Sequence, residues 1–243
     1  MIVAANWKMN PSIEDAGALA AAYAGTAFDG IARILFPPHP YLVHMAMRLG
    51  QSDIRLGGQD CHRGAAGGPP GEVAAHRLAA GGADIVLLGH SERRTDHGES
   101  DALVRAKAGA ALAENLSVMI CVGETLAQRD AGQAEDVVGA QLAGSVPEDV
   151  DAAQLMIAYE PVWAIGTGKV ASEADIGAMH AHIHTQLAQR GLGDVSILYG
   201  GSVKPGNAGA IFAVAYVDGA LVGGASLVAD DFAAICDAAQ ATI

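Results

Sequence analysis

Cysteine is scarce in this sequence, and its scarcity excludes two classes of protein. The 243 residues contain three cysteines, Cys61, Cys121 and Cys236. Three widely spaced thiols cannot form the disulfide framework of a small secreted domain, and they show no zinc-ligand spacing. We therefore expect free thiols and a reducing compartment, the cytoplasm.

Positive charge is also scarce. Lysine and arginine number 14 against 27 aspartate and glutamate residues, which gives a net charge of −13. An acidic chain repels nucleic acid and anionic lipid, so neither is an expected partner. The same repulsion would act on a small anionic substrate, which would then have to be held by local hydrogen-bond donors.

Long apolar runs and aromatic side chains are missing as well. No run approaches the roughly 20 apolar residues that a membrane-spanning helix needs. The N-terminus, MIVAANWKMN, lacks the basic region and apolar stretch of a signal peptide. Aromatic residues make up only 5%, although 51% of the residues are hydrophobic, which favours a large, tightly packed core over an aromatic binding face.

Eight short apolar runs, separated by helical patterns, dominate what is present. The runs are residues 2–6, 32–36, 54–58, 84–89, 117–123, 155–160, 196–201 and 219–224. Ser12 and Ser172 have the spacing of helix caps, and Asp230 or Asp231 is placed to cap the last helix. Strands that alternate with helices and are apolar on both faces predict a parallel α/β sheet. Eight such units predict a closed (βα)8 barrel that occupies residues 1–243 as one domain.

Polar residues follow several of these strands, at the end where barrels carry their active sites. Asn6 and Lys8 end the first run, His90 and Glu92 follow the fourth, and Glu160 ends the sixth. Glycine-rich turns follow the seventh and eighth runs, where such barrels commonly bind phosphate. Each residue alone has a structural explanation, but their convergence on one rim predicts a catalytic site.

Three histidines on one predicted helix, His180, His182 and His184, suggest a metal site at first sight. His180 and His184 are four residues apart, on the same face of the helix. No acidic ligand or HExxH pattern accompanies them, so we expect a solvated helix face and no metal. Cys121 lies inside an apolar run and is expected in the core.

Six segments at the predicted strand ends resemble the signature segments of the triosephosphate isomerase family. They are NWKMN (6–10), GHSERR (89–94), CVGET (121–125), AYEPVWAIGTG (158–168), YGGSV (199–203) and LVGGASL (221–227). They occur in the family's order and spread over the whole chain. The resemblance implies a TIM barrel without a cofactor or metal. The implied reaction is the interconversion of dihydroxyacetone phosphate and D-glyceraldehyde 3-phosphate, in glycolysis and gluconeogenesis.

The resemblance also assigns catalytic roles by position. Glu160 would be the base, and His90 would polarise the carbonyl group and shuttle protons between the oxygens. The family is itself the standard example of a glutamate base paired with a neutral histidine. Lys8 and Asn6 would stabilise the enediolate, and Glu92 would orient its neighbours. The helix that follows His90 should disfavour an imidazolium.

The remaining implied residues bind phosphate or close the site. Backbone N–H groups of Gly166, Ser202, Gly223 and Gly224 would hold the phosphate, together with Asn6 and Lys8. The segment after Glu160 would be a lid, with Trp163 at a hinge, Ile165 and Gly168 in the tip, and Leu221 opposite. Ile165 and Leu221 would form an apolar cage that raises the basicity of Glu160.

One loop departs from the family pattern. In the family that this chain resembles, the loop after the third strand usually reads close to GAFTGE, and its threonine reaches the partner subunit's active site. Here residues 67–72 read GGPPGE, and Pro70 can supply neither a hydroxyl nor an N–H group. We expect a homodimer whose loop docks by shape. Two alternatives remain, a barrel sugar-phosphate isomerase of amino-acid biosynthesis and a non-catalytic triose-phosphate sensor.

Overall fold

The computed structural model describes residues 1–65, 67–165 and 170–243. Within these ranges, eight parallel strands close into a barrel in chain order, because β1 pairs with both β2 and β8. The strands β1 to β8 are Ile2–Asn6, Ala32–Phe36, Arg55–Gly58, Ile85–Leu88, Ser117–Val122, Leu155–Tyr159, Ser196–Tyr199 and Gly219–Val222. The predicted closed (βα)8 barrel is confirmed.

Ten helices surround the barrel in the part of the chain that the structure describes. The helices α1 to α10 are Ile13–Ala24, Leu42–Leu49, Ala75–Ala80, Ser91–Asp96, Asp101–Ala113, Leu126–Asp130, Ala134–Ser145, Glu173–Ala188, Pro205–Phe212 and Ala229–Gln240. Single 3-10 turns occupy His39–Tyr41, Ala152–Gln154, Val162–Ala164 and Gly224–Leu227. None of the described helices is long and apolar enough to cross a membrane.

The helix starts test the predicted caps. Ser12 caps α1 and accepts a hydrogen bond from the Asp15 N–H group, and Ser172 caps α8 in a complete capping box. The cap predicted for the last helix is wrong, because Val228 occupies the N-cap position of α10. Asp230 and Asp231 lie instead in its first turn, where their charge favours the positive end of the helix dipole.

The core has two layers, one inside the barrel and one between the barrel and its helices. The inner layer consists of Ala4, Ile34, Phe36, Ile85, Leu87, Met119, Cys121, Met156, Ala158, Leu198 and Leu221. Its packing depends on small neighbours, since a Cβ added at Gly57 would lie 2.3 Å from the Phe36 ring. Cys121 is in the core as predicted, and all three cysteines are free and buried.

Several strands are shorter than their apolar runs. The run 196–201 forms a strand only to Tyr199, and the run 155–160 only to Tyr159. The first residues outside the two strands are Gly200 after β7 and Glu160 after β6. The residues left out of the strands form the rim on which the candidate site lies.

Candidate active site

Glu160 lies directly after β6, almost completely buried, with its carboxylate held from two sides. Oε1 is 2.9 Å from Nε2 of His90, and Oε2 accepts a hydrogen bond of 2.8 Å from the Ser91 N–H group. Glycine makes room for this acid, since a Cβ added at Gly200 would lie 2.9 Å from Cγ of Glu160. A Cβ added at Gly123 would lie 1.7 Å from the Glu160 carbonyl oxygen. The strand end and its neighbours therefore fix this carboxylate closely.

His90 is the N-cap residue of α4, and its ring is oriented at both nitrogens. Nδ1 accepts a 3.3 Å hydrogen bond from the Glu92 N–H group, which places the proton of a neutral ring on Nε2, facing Glu160. Burial lowers the pKa of His90, but the Glu160 carboxylate outweighs burial and raises it above its ordinary value. His90 does lie at the start of α4, where the helix was expected to lower its pKa. The Glu160 carboxylate nevertheless sets the direction of the pKa shift.

The expected rise in the basicity of Glu160 is wrong for this arrangement. Burial does raise its pKa, as an apolar cage would. The adjacent His90 and the hydrogen bond from Ser91 outweigh burial, and the pKa of Glu160 is lowered. The neighbours of the carboxylate oxygens, which the sequence pattern did not reveal, set this direction.

Lys8 and Asn6 extend the site from the end of β1. Lys8 has a backbone φ of +51°, a left-handed conformation that costs a residue with a side chain roughly 1–3 kcal/mol. Its N–H group donates to Oδ1 of Asn6 at 3.1 Å, and its carbonyl oxygen accepts from Nε2 of Gln59 at 2.8 Å. Its ammonium group forms an ion pair with Glu92. The strained backbone thus presents the lysine charge at a defined place on the rim.

A cleft of about 520 Å³ joins these residues to the glycine-rich turns after β7 and β8. Its lining includes Lys8 and the predicted phosphate donors Ser202, Gly223 and Gly224. A Cβ added at Gly223 or Gly224 would meet no protein atom within 4 Å, so packing does not require glycine there. Glycine at these two positions instead leaves open the space that a side chain would occupy.

The described part of the predicted lid begins beside Glu160. Trp163 lies in a 3-10 turn, donates from Nε1 to Oε1 of Glu124 at 2.8 Å, and packs under the guanidinium of Arg129 at 4.7 Å. Ile165 and Leu221, the two residues predicted to clamp Glu160, both line the cleft. The predicted phosphate donor Gly166 and the predicted lid residue Gly168 lie outside the described residues.

Three contributors to the site were not singled out from the sequence. Ser91 supplies a backbone donor to Glu160, Gln59 holds the strained Lys8, and Gly123 makes room for the Glu160 backbone. The position of Ser91 at the start of a helix was the available signal for an anion-binding N–H group. Gln59 gave no signal, because its role depends on a contact across 51 residues.

The histidine cluster is neither a solvated face nor a metal site. His180 is completely buried and contacts the Tyr216 carbonyl oxygen through Nδ1 at 2.9 Å. His182 and His184 are half-buried, and the ring of His184 stacks on Tyr216. The prediction of a solvated face is wrong because α8 packs this side against the chain around Tyr216. No group of His, Cys, Asp and Glu among the described residues is arranged to hold a metal ion.

Comparisons with known proteins agree with this geometry. The family model described as triosephosphate isomerase matches residues 1–239. A triosephosphate isomerase of Ruegeria pomeroyi is 50% identical, with 98% of this chain and 97% of the relative aligned. One from Afipia carboxidovorans is also 50% identical, over 98% of this chain and 96% of the relative.

A solved structure has the same fold as this chain. The crystal structure of triosephosphate isomerase from Bartonella henselae superposes with a TM-score of 0.91 at 44% identity, covering 98% of both chains. The chain belongs to the triosephosphate isomerase family.

Proposed function

We propose that this member of the triosephosphate isomerase family interconverts dihydroxyacetone phosphate and D-glyceraldehyde 3-phosphate, the reaction shared by glycolysis and gluconeogenesis. The observation that carries the proposal is the convergence of Glu160, His90 and Lys8 on one cleft that the glycine-rich turns also line. A carbon acid with a neighbouring carbonyl and a phosphate group needs a base, an electrophile and anion donors. Those are the three kinds of group that line this cleft.

In the proposed mechanism Glu160 moves one proton between adjacent carbons. Its carboxylate takes a proton from C1 of dihydroxyacetone phosphate, and the electrons pass into an enediolate. The protonated Glu160 then returns the proton to C2, which yields the aldehyde. A base with a lowered pKa is fully ionised at neutral pH and ready to accept the proton.

His90, Lys8 and Asn6 act on the oxygens. The proton on Nε2 of His90 faces Glu160 in this structure. In the proposed mechanism this N–H group donates instead to the carbonyl oxygen of the bound substrate, and the ring moves protons between O1 and O2. Lys8 and the amide of Asn6 add fixed positive charge and a donor for the enediolate. Glu92 orients both partners, through its N–H group to His90 and its carboxylate to Lys8.

Phosphate binding and closure complete the proposal. The N–H groups of Ser202, Gly223 and Gly224 bind the phosphate group, and Gly166 joins them from the lid. Trp163 serves as a hinge anchored on Glu124, while Ile165, Gly168 and Leu221 cover Glu160 and exclude water. Water exclusion protects the enediolate from losing its phosphate.

A coupled assay tests the function directly. The purified protein is given D-glyceraldehyde 3-phosphate, and dihydroxyacetone phosphate is detected by an NADH-dependent dehydrogenase that reduces it. We expect rapid NADH oxidation that requires both the protein and the substrate. A protein that binds the substrate without NADH oxidation would instead be a sensor.

We further propose a homodimer. A second cleft, of about 590 Å³, adjoins the site and is lined by Lys8, Met9, His39 and Arg93. The side chain of Met9 is 95% exposed, and burying a methionine is worth about 2 kcal/mol. In the proposed dimer the loop of residues 67–72 of one subunit occupies this cleft in the other. Pro69 and Pro70 would dock it by shape, with modest affinity for the family.

Sedimentation over a dilution series, with activity followed in parallel, tests the dimer. Activity should fall as the dimer dissociates, because Lys8 lines both clefts. Replacement of Pro70 by threonine should raise the dimer affinity by restoring a hydroxyl. A protein that is monomeric at micromolar concentration and fully active would contradict the proposal.

The remaining proposals concern folding and location. We propose that the barrel unfolds as one domain, because the hydrogen bonds between β1 and β8 join the two ends of the chain. A single cooperative transition, seen alike by circular dichroism and fluorescence, would support this.

We propose the cytoplasm as the location, since three unpaired cysteines suit a reducing compartment.

A further inference from the structure

The cleft contains a second lysine that the mechanism above does not use. Lys204 follows β7, lines the same cleft as Glu160 and Gly223, and is exposed. Lys8, the other lining lysine, is already paired with Glu92. No ion pair engages the Lys204 side chain within residues 1–65, 67–165 and 170–243. Its charge is therefore available to a ligand.

The charge balance of the cleft depends on this lysine. In the described lining, two ammonium groups, Lys8 and Lys204, face two carboxylates, Glu92 and Glu160. Without Lys204, one ammonium group would face two carboxylates, in a protein whose net charge is already −13. A phosphate dianion would then approach a cleft that repels it.

The backbone around Lys204 is held by one side chain. Asn207, in the first turn of α9, accepts a 2.7 Å hydrogen bond from the Lys204 N–H group through Oδ1. Its Nδ2 atom donates to the Ser202 carbonyl oxygen at 3.0 Å. One amide therefore joins the lysine to the turn that carries the proposed phosphate donor Ser202. This turn fixes the point from which the lysine side chain extends.

We infer that Lys204 is a substrate-capturing cation, which draws the phosphate dianion into the cleft and holds it at the entrance, and that Asn207 is its positioning residue. The inference rests on the proposed function for its substrate, but its chemistry requires only a phosphate dianion. Lys204 acts before the chemical step. Its removal should therefore weaken capture and leave the bound reaction unchanged.

The kinetic test compares Lys204→Gln with Lys204→Arg and with Arg48→Gln. Arg48 is an exposed residue of α2 that lies in a groove beside α1, away from the cleft, so its loss changes the net charge equally. At low salt, Lys204→Gln should lower kcat/KM about fivefold, with kcat unchanged. The loss should largely disappear near 1 M salt, where the Debye length is about 3 Å. Lys204→Arg and Arg48→Gln should both resemble the wild type.

A binding test separates this inference from the proposed function. Titration calorimetry with inorganic phosphate at low salt should show about fivefold weaker binding for Lys204→Gln. Asn207→Ala should show a smaller loss, and Arg48→Gln should bind like the wild type. If Lys204→Gln and Arg48→Gln match in both phosphate affinity and salt dependence, the inference is wrong. A wild type that binds phosphate in this pattern without isomerising triose phosphate would overturn the proposed function alone.

Discussion

Two groups of charged side chains lie near each other at the same end of the barrel, and they are organised in opposite ways. The inner group consists of Asp60, Arg93, Glu99 and Lys107. Lys107 contacts Asp60 at 2.7 Å and Glu99 at 2.5 Å, and Arg93 contacts the same two acids at 2.9 and 2.7 Å. Two positive and two negative charges thus balance in a group whose Asp60, Glu99 and Lys107 are buried.

The outer group faces the cleft. It consists of Lys8, His90, Glu92 and Glu160, and its members also form close pairs. Here Lys8 lies on a strained backbone, Lys8 and its partner Glu92 are partly exposed, and the cleft also includes the glycine-rich turns after β7 and β8. The helix α4 supplies residues to both groups, Arg93 to the inner one and Glu92 to the outer one.

The difference separates charge that stabilises the fold from charge that performs chemistry. A buried, balanced group contributes little net stability over an apolar core, but removing one member leaves an unpaired charge. An open group can exchange its internal partners for those of a substrate. We therefore expect mutations in the inner group to reduce stability and mutations in the outer group to reduce activity.

Loss of the base should have the largest effect on activity. Glu160→Gln keeps the size of the side chain and removes its ability to accept a proton from carbon. We expect turnover to fall on the order of a thousandfold or more, within the range of general-base catalysis. Affinity for inorganic phosphate, measured by calorimetry, should be nearly unchanged because the proposed phosphate donors are other residues, Ser202, Gly223 and Gly224. Near-wild-type turnover would remove the role assigned to Glu160.

Loss of the inner lysine should have the largest effect on stability. Lys107→Met leaves Asp60 and Glu99 with only Arg93, so we expect the free energy of unfolding to fall by about 3–5 kcal/mol. Urea unfolding measures this. The second change Asp60→Asn restores the charge balance and should recover much of the loss. If Lys107→Met is as stable as the wild type, the inner group does not need balanced charges for the stability of the fold.

The folded fraction of Lys107→Met should retain most of its activity at low temperature. Lys107 pairs with Asp60 and Glu99 and is not among the described residues that line the cleft with Glu160. A thousandfold loss of turnover in fully folded protein would mean that the two groups are not separable.

The buried side chain of His180 sharpens the comparison, because no opposite charge lies beside it among the described residues. Burial lowers its pKa to about 4. Between pH 6.5 and about 4 the unfolded chain binds a proton that the folded chain excludes. The free energy of unfolding should therefore fall as the pH falls through this window, by about 3 kcal/mol in total.

His180→Gln should lose this part of the pH dependence, and urea unfolding at several pH values measures it. His182→Gln, on the same helix, is the matched control and should keep the wild-type dependence because it retains His180. Equal slopes for the wild type and His180→Gln would show that His180 is not held neutral in the fold.

Much of the fold and the rim could be predicted from the sequence, because local patterns carry it. Apolar runs predict the strands, and the residues that end them, such as Glu160 and His90, must share a rim once the barrel closes. The ends of the runs were predicted less well. The glycine and site residues at the ends of the runs are compatible with a strand in the sequence, but in the structure they lie outside the strands.

Contacts between distant parts of the chain could not be predicted in this way. The pair of Asp60 and Lys107 spans 47 residues, and the contact of His180 with Tyr216 spans 36. The pKa of Glu160 moved in the unexpected direction for the same reason, since its partners His90 and Ser91 come from another strand end. Such properties depend on which groups meet in space, and periodicity and spacing do not record that.

Isomerisation in D2O, followed by proton NMR, tests the central claim most directly. If Glu160 takes a proton from carbon through an enediolate, part of the dihydroxyacetone phosphate formed from D-glyceraldehyde 3-phosphate should carry deuterium at C1, from the turnovers in which the proton on Glu160 exchanges with solvent. Glu160→Gln should form almost no product over the same time. Product that forms as fast with Glu160→Gln as with the wild type would contradict the account.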